Sequence, residues 1–288
     1  MPELFLNPAL PNYFISATDI TSAISARSFV AEYEDAKVVL FPNLGIDIDH
    51  GFWSTLPSGK NSALKKFSID LEFGGQSEDE FHKHEVKLAE AGIERPMAIA
   101  LLQQMVSIYK SVLPAYREIF GDYSFDRHQV VWRLNTIRAE NMHVDTYKHE
   151  NKLHFARMFI NLDSQPRIWQ TSWTIREILA RAKVMIPSEE LQGLTRGEVW
   201  TKLNKTLFGK NSKQWWDNEP RHIAFFHPGD VWIVDSRQVS HQIFYGRRAL
   251  SIDFSVPKEH MRNREVHYLA IADRFCEEHA LDGAVRNN

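Results

Sequence analysis

The run Arg157-Met-Phe-Ile-Asn-Leu162 limits the fold more than any other stretch of the chain. On a strand, successive side chains face opposite ways. Arg157, Phe159 and Asn161 then share one face, and Met158, Ile160 and Leu162 share the other. A polar stripe set against an unbroken aliphatic one predicts a polar barrel interior and an apolar outside packed on helices. Residues 247–256 repeat the pattern, with Arg247, Ala249, Ser251 and Asp253 against Arg248, Leu250, Ile252 and Phe254.

Other short strands are expected at 130–138, 166–169, 223–226, 231–234 and 239–245, with Pro228-Gly229-Asp230 as a turn. The earlier half supplies the helices. Thr18-Asp19 caps one running to about residue 34, and a charged one covers 81–91. A third starts at Pro96 with an apolar stripe from Leu102 to Tyr116, and Pro114 is expected to kink or break it. Strands are also expected at 37–41 and 67–73, insertion helices at 174–183 and 195–208, and a terminal helix at 258–279. Thr195 and Glu198 form a capping box for the second insertion. Residues 1–17, with three prolines, read as an irregular arm. The class expected is α+β with a mainly β core, a double-stranded β-helix (jelly-roll, cupin-like) barrel with flanking helices. Residues 1–288 read as one domain: arm and helix over 1–36, barrel with supporting helices over 37–256, terminal helix over 257–288.

Composition narrows the function classes. A net charge of -3 offers no basic excess for a nucleic-acid partner. One cysteine, Cys276, excludes an intrachain disulfide framework. The first residues lack a basic segment followed by a long apolar one, so no signal peptide is expected, and no apolar run is long enough to span a bilayer.

Within this frame His143-Val-Asp145 carries the chemistry. Alternation puts an imidazole and a carboxylate side by side, two members of a 2-His-1-carboxylate triad that leaves positions open on Fe(II). The third should be a histidine on a later strand. His241 is preferred because it precedes the strand that carries two arginines, with His222 and His227 as alternatives. His82 and His84 fall at helical spacing, where the rings diverge, and read as a solvated face.

A metal of this kind holds a dicarboxylate co-substrate whose far carboxylate needs a cation, and arginine clamps it bidentately. Two pairs compete for that place, Arg247 with Ser251 and Arg157 with Asn161; Arg133, Arg138 and Arg248 come next. Trp215-Trp216 is read either as a packing plug or as a lid that touches substrate.

Taken together, these residues resemble the iron- and 2-oxoglutarate-dependent oxygenases, and among them the Kdo 3-hydroxylases. The resemblance rests on Lys37-Val-Val-Leu-Phe-Pro-Asn-Leu44, Gly59-Lys-Asn61, Leu113-Pro-Ala-Tyr116, His143-Val-Asp145 and Arg157-Met-Phe-Ile-Asn161. It continues through Pro166-Arg-Ile-Trp169, Gly229-Asp-Val-Trp-Ile-Val234 and Val239-Ser-His241. It implies Fe(II) on His143, Asp145 and His241, with 2-oxoglutarate and O2 as co-substrates and ascorbate as an activator in vitro. The implied reaction hydroxylates carbon 3 of Kdo in the lipopolysaccharide inner core, giving Ko, succinate and carbon dioxide. The acceptor would be a Kdo-containing lipid A precursor, its sugar carboxylate met by Arg133, Arg138 and Arg167. A cytoplasmic protein in peripheral contact with the inner face of the inner membrane is expected, with Trp215-Trp216 at that surface. The alternatives are a 2-oxoglutarate dioxygenase acting on another small molecule or a protein side chain, and a non-catalytic jelly-roll sugar-binding module.

Overall fold

The computed structural model describes residues 2–17, 23–41, 44–57, 67–69, 78–121, 123, 127–134, 141–145, 153–208 and 219–278. Two sheets face each other. The smaller runs β1 (Glu3–Phe5), β8 (His222–Phe226), β7 (Arg167–Thr174), β10 (Val239–Tyr245). The larger runs β2 (Phe14–Ser16), β3 (Val38–Phe41), β9 (Val231–Ile233), β6 (Leu153–Asn161), β11 (Ala249–Pro257), β5 (Arg127–Arg133), β4 (Phe67–Ile69). Every neighbouring pair is antiparallel except β2 with β3. The arrangement is of jelly-roll type. No strand pair closes it into a barrel among the described residues, because the ladders end at β1 in one sheet and at β2 and β4 in the other.

The alternation on β6 and β11 divides the interior as the sequence implies. Met158 and Ile160 of β6 and Leu162 just after it, with Leu250, Ile252 and Phe254 of β11, face the helices α1 (Ala23–Glu34) and α4 (Arg95–Ile119) in the main core. The same core takes Leu88 from α3 (Glu78–Glu90) and Trp53 from the short α2 (His50–Thr55). Between the sheets lies a second, aromatic core of Phe159, Trp169, Phe226 and Trp232. Trp232 stacks on Phe226 with ring centroids 3.8 Å apart, and Trp169 meets Trp232 edge-on at 5.3 Å. A third cluster joins the insertion helices α5 (Ile175–Met185) and α6 (Arg196–Phe208) to the terminal helix α7 (Tyr268–Glu278). Both insertion helices open on Thr-x-x-Glu capping boxes, Thr174 with Glu177 and Thr195 with Glu198.

Four expectations are corrected. The arm is not irregular throughout: it forms β1 and β2, and His222 pins it by accepting from the Asn7 amide at 2.9 Å and donating to the Pro11 carbonyl at 3.0 Å. Pro114 does not break α4, which continues for five residues to Ile119. Pro114 and Lys110 lie on the exposed side, so the carbonyl freed by the proline can bond water while Val112 and Tyr116 stay packed. The segment around His143 is an isolated bridge and not a full strand. The terminal α-helix starts at Tyr268 and not near 258: residues 258–266 form two short 3-10 turns, parted where the buried Glu34 carboxylate accepts the Arg262 and Asn263 amides at 3.0 and 2.9 Å. Residues 70–73 of the expected strand, Arg138 and Trp215-Trp216 lie outside the described residues. No helix of the described residues is long and apolar enough to cross a membrane.

One end of the larger sheet hides a polar network. Arg237 pairs with Asp235 through Nη2 at 2.9 Å and donates to the Leu153 carbonyl at 3.0 Å and to His154 Nδ1 at 3.4 Å. Tyr123 donates to Glu34 at 2.6 Å and meets His154 Nε2 at 3.3 Å. Since the arginine can only donate, His154 is neutral, with its proton on Nε2. Burial, together with the charges of Arg237 and His267, pushes the His154 pKa down to about 3 despite Asp235. Burial and Arg237 likewise push His267 down to about 4.

A histidine depressed in the folded state is protonated first in the unfolded chain, so acid favours unfolding. Stability should therefore fall as pH drops below about 6.5, the unfolded value, and keep falling towards 4. Thermal melts between pH 7.5 and 4.5 should show this, with a flatter profile for His154→Gln than for the intact protein.

Candidate metal centre

A bulge in β7, where Ser172 and Trp173 stand against Ser240 of β10, adjoins His241, which pairs with Thr171. The other edge of β10 takes the segment after Met142. His143 N donates to His241 O at 3.1 Å and His241 N donates to His143 O at 2.8 Å. Residues that exchange both bonds stand directly opposite, so their side chains project from the same face. The Asp145 amide is held by Ser236 O at 2.9 Å. Val144 points the other way and is buried against Trp173 and the insertion helices.

The two imidazoles lie 4.7 Å apart by ring centroid, and Trp169 stacks on His241 at 5.3 Å and 21°. Each Nδ1 meets a main-chain carbonyl, His143 on Asn141 at 2.5 Å and His241 on Val239 at 3.1 Å. A carbonyl only accepts, so both protons sit on Nδ1 and each Nε2 carries a lone pair. One donor atom from each of His143, Asp145 and His241 lies within 4.8 Å of the others, and His143 Nε2 is 3.5 Å from Asp145 Oδ1. Burial alone would raise the Asp145 pKa. The guanidinium of Arg157, which donates to Oδ2, outweighs it and holds the carboxyl well below the usual range. Two neutral imidazoles and an ionised carboxylate on one side of an open cleft are a donor set that fits a six-coordinate divalent ion with positions to spare.

The cleft spans about 530 Å³ including its mouth and is lined by the three donors with Arg133, Arg157, Phe159, Trp169 and Ile243. Arg133, on the inward face of β5 beside Ala249, has no hydrogen-bond partner for Nε and Nη1 among the described residues. Arg157 is already engaged: Nη1 donates to Asp145 Oδ2 at 2.6 Å and to Ser236 Oγ, and Nε donates to Asp253, its cross-strand neighbour.

The remaining candidates lie elsewhere. Asn161 donates to the Gln165 and Phe226 carbonyls, both at 2.9 Å, and so fastens a turn. The expected inward pair of Arg247 and Ser251 does not form at the cleft. Arg247 precedes β11 and makes a two-pronged ion pair with the buried Asp163 at 2.8 and 2.7 Å, and Ser251 donates to Asp253 at 3.3 Å. Arg167 is buried under Gly246 and does not line the cleft, so it is misplaced for a substrate carboxylate. Arg248 is buried too, donating to the carbonyls of Trp53, Leu56, Pro57 and Leu134. His227 faces Glu3 at 3.2 Å. Ser236 escaped the sequence reading, since a serine in the loop after β9 carries no pattern of its own.

A family model described as 3-deoxy-D-manno-oct-2-ulosonic acid (Kdo) hydroxylase matches residues 17–279. The chain belongs to the Kdo hydroxylase family. Among solved structures it is similar to the Kdo hydroxylase KdoO, a non-heme Fe(II) α-ketoglutarate-dependent dioxygenase. In complex with α-ketoglutarate and Fe(III), that protein is 15% identical, with a TM-score of 0.58 over 92% of this chain and 96% of its own. Its apo structure is 17% identical, with a TM-score of 0.58 over 94% and 97%. At such identity the likeness establishes a shared fold. No curated protein sequence matches the chain.

In this Kdo hydroxylase family member, calorimetric titration with Mn(II) should find one site in the intact protein. None should remain in His143→Ala, Asp145→Ala or His241→Ala, while each variant still melts cooperatively. His222→Ala should keep the site and lose melting temperature, because it frees the arm. Undiminished binding by His241→Ala would place the third ligand elsewhere.

Proposed function

We propose that the protein is an Fe(II)- and 2-oxoglutarate-dependent dioxygenase that hydroxylates carbon 3 of Kdo in a lipopolysaccharide precursor. The products are Ko, succinate and carbon dioxide. One observation carries the reading: an arginine with unpaired N–H groups, Arg133, lines the same cleft as His143, Asp145 and His241. Family membership supplies the sugar. When bound, Fe(II) supplies the oxidative decarboxylation of 2-oxoglutarate coupled to hydroxylation of the sugar.

The chain's own residues bind, orient and shield. His143 and His241 present their Nε2 atoms already in the right tautomer, so no proton has to leave a ring as the metal enters. Arg133 takes the far carboxylate of 2-oxoglutarate, which relieves the cost of an unpaired buried guanidinium. Phe159, Trp169 and Ile243 form an apolar wall that keeps water from the methylene chain and from the reacting end. No side chain is required as a nucleophile or as a general base.

The acceptor is a Kdo-bearing lipid A precursor at the cytoplasmic face of the inner membrane, which the protein meets peripherally. Ascorbate serves as an activator in vitro. Purified protein with Fe(II), ascorbate and 2-oxoglutarate should add one oxygen, about 16 mass units, to Kdo-lipid A and nothing to lipid A that lacks Kdo. Fragmentation should place the hydroxyl on carbon 3. Iron binding without succinate release would favour a sugar-binding module, and turnover only with another small molecule or a peptide would leave the iron reading without Kdo.

Arg133→Leu should raise the apparent 2-oxoglutarate constant about ten- to a hundredfold, the worth of a charge-assisted bidentate contact. An effect on the Kdo-lipid A constant alone would move Arg133 to the sugar carboxylate. Arg247→Leu should lower the melting temperature by stranding Asp163 while leaving the 2-oxoglutarate constant in place.

A further inference from the structure

We infer that Arg157 and Ser236 are positioning residues that keep Asp145 a one-oxygen ligand. The inference rests on the metal reading above and goes beyond it. Oδ2 of Asp145 is occupied twice, by Arg157 Nη1 at 2.6 Å and by the Ser236 hydroxyl at 2.5 Å. Oδ1 is the oxygen turned towards the imidazoles, 3.5 Å from His143 Nε2. A carboxylate with one oxygen engaged by two donors presents the other to a metal. Three protein donors, a chelating 2-oxoglutarate and dioxygen add up to six positions, so a two-oxygen aspartate would take the place of a reactant.

The geometry is held from several elements at once. Ser251 donates to Asp253, Asp253 accepts Arg157 Nε, and Arg157 spans from there to Asp145 and Ser236. Ser236 accepts from Arg157 and donates its own hydroxyl hydrogen bond to Asp145, so the three groups form one bonded set. The loop that delivers Ser236 is fixed by its neighbours, since Asp235 accepts Arg237 Nε at 3.0 Å and Nη2 at 2.9 Å. Arg157 therefore has a task that competes with holding a co-substrate, and Arg133 is left for the latter.

Coordination can be read without turnover by loading the protein with Co(II) and recording its visible absorption, which is weak for six ligands and stronger for five. The intact protein should change its spectrum on adding 2-oxoglutarate and remain six-coordinate. Ser236→Ala should shift the Co(II) spectrum and weaken metal binding about tenfold, the lower end for losing a partner of a ligand. Ser236→Thr, which keeps the hydroxyl, should restore both. Arg157→Met should do more, up to about a hundredfold. Because the two donors share one oxygen, the double variant should fall short of the sum of the singles. Wild-type spectra and affinities in Ser236→Ala, with additive effects in the double variant, would overturn the assignment and leave the proposed function standing. An intact protein whose Co(II) spectrum ignores 2-oxoglutarate would take both down.

Discussion

The reciprocal pair of main-chain hydrogen bonds between His143 and His241 is the contact on which the site depends. It joins a segment that belongs to no strand of its own to the edge of β10, and it fixes both imidazoles on one face. Two backbone bonds are modest in energy, about 1 kcal/mol each net, so they cannot hold the register unaided. Burial supplies the rest. Val144 is wedged under Trp173 and the insertion helices, and Trp169 stacks on His241 from the inter-sheet core. A slip of one residue would expose Val144 and turn both metal-facing side chains inward, which gives the register its specificity.

The arginines show how burial allocates charge. Arg237, Arg247 and Arg157 each sit against a carboxylate, and Arg248 is surrounded by carbonyls. Such pairs are retained because removing one partner strands a buried charge, which costs several kcal/mol. Arg133 differs in its place: it lines the cleft with Nε and Nη1 unpaired among the described residues, where a carboxylate ligand would complete it. The same accounting explains the work of Asp253 and Ser236, which leave Arg157 no freedom to turn away from Asp145.

Function is thus concentrated where three layers meet. The helix-packed face of the larger sheet supplies stiffness, the aromatic layer between the sheets supports His241, and the insertion helices support the segment from Met142 to Asp145. The buried network around His154 fixes the loop from Asp235 to Gln238 and so reaches the site through Ser236.

The faces of the strands and the metal donors were legible in the chain alone. Period-two alternation on β6 and β11 separated the helix-facing residues from the inward ones, because a strand has no other way to place them. His-x-Asp and a histidine at the head of a later strand pointed to the three residues that the fold brings together. What it could not determine was which inward arginine meets which carboxylate. Arg247 and Ser251, and Arg157 and Asn161, were equally plausible by alternation. The choice fell to Asp163, Asp253 and a turn after Asn161, none of them near in sequence to the group it binds except Gln165. Pro114 and the late start of α7 were decided likewise, by an exposed helix face and by the carboxylate of Glu34. Local pattern fixes the direction of a side chain, whereas its partner is chosen by distant segments competing to satisfy buried charge, and that competition exists only once the chain has folded.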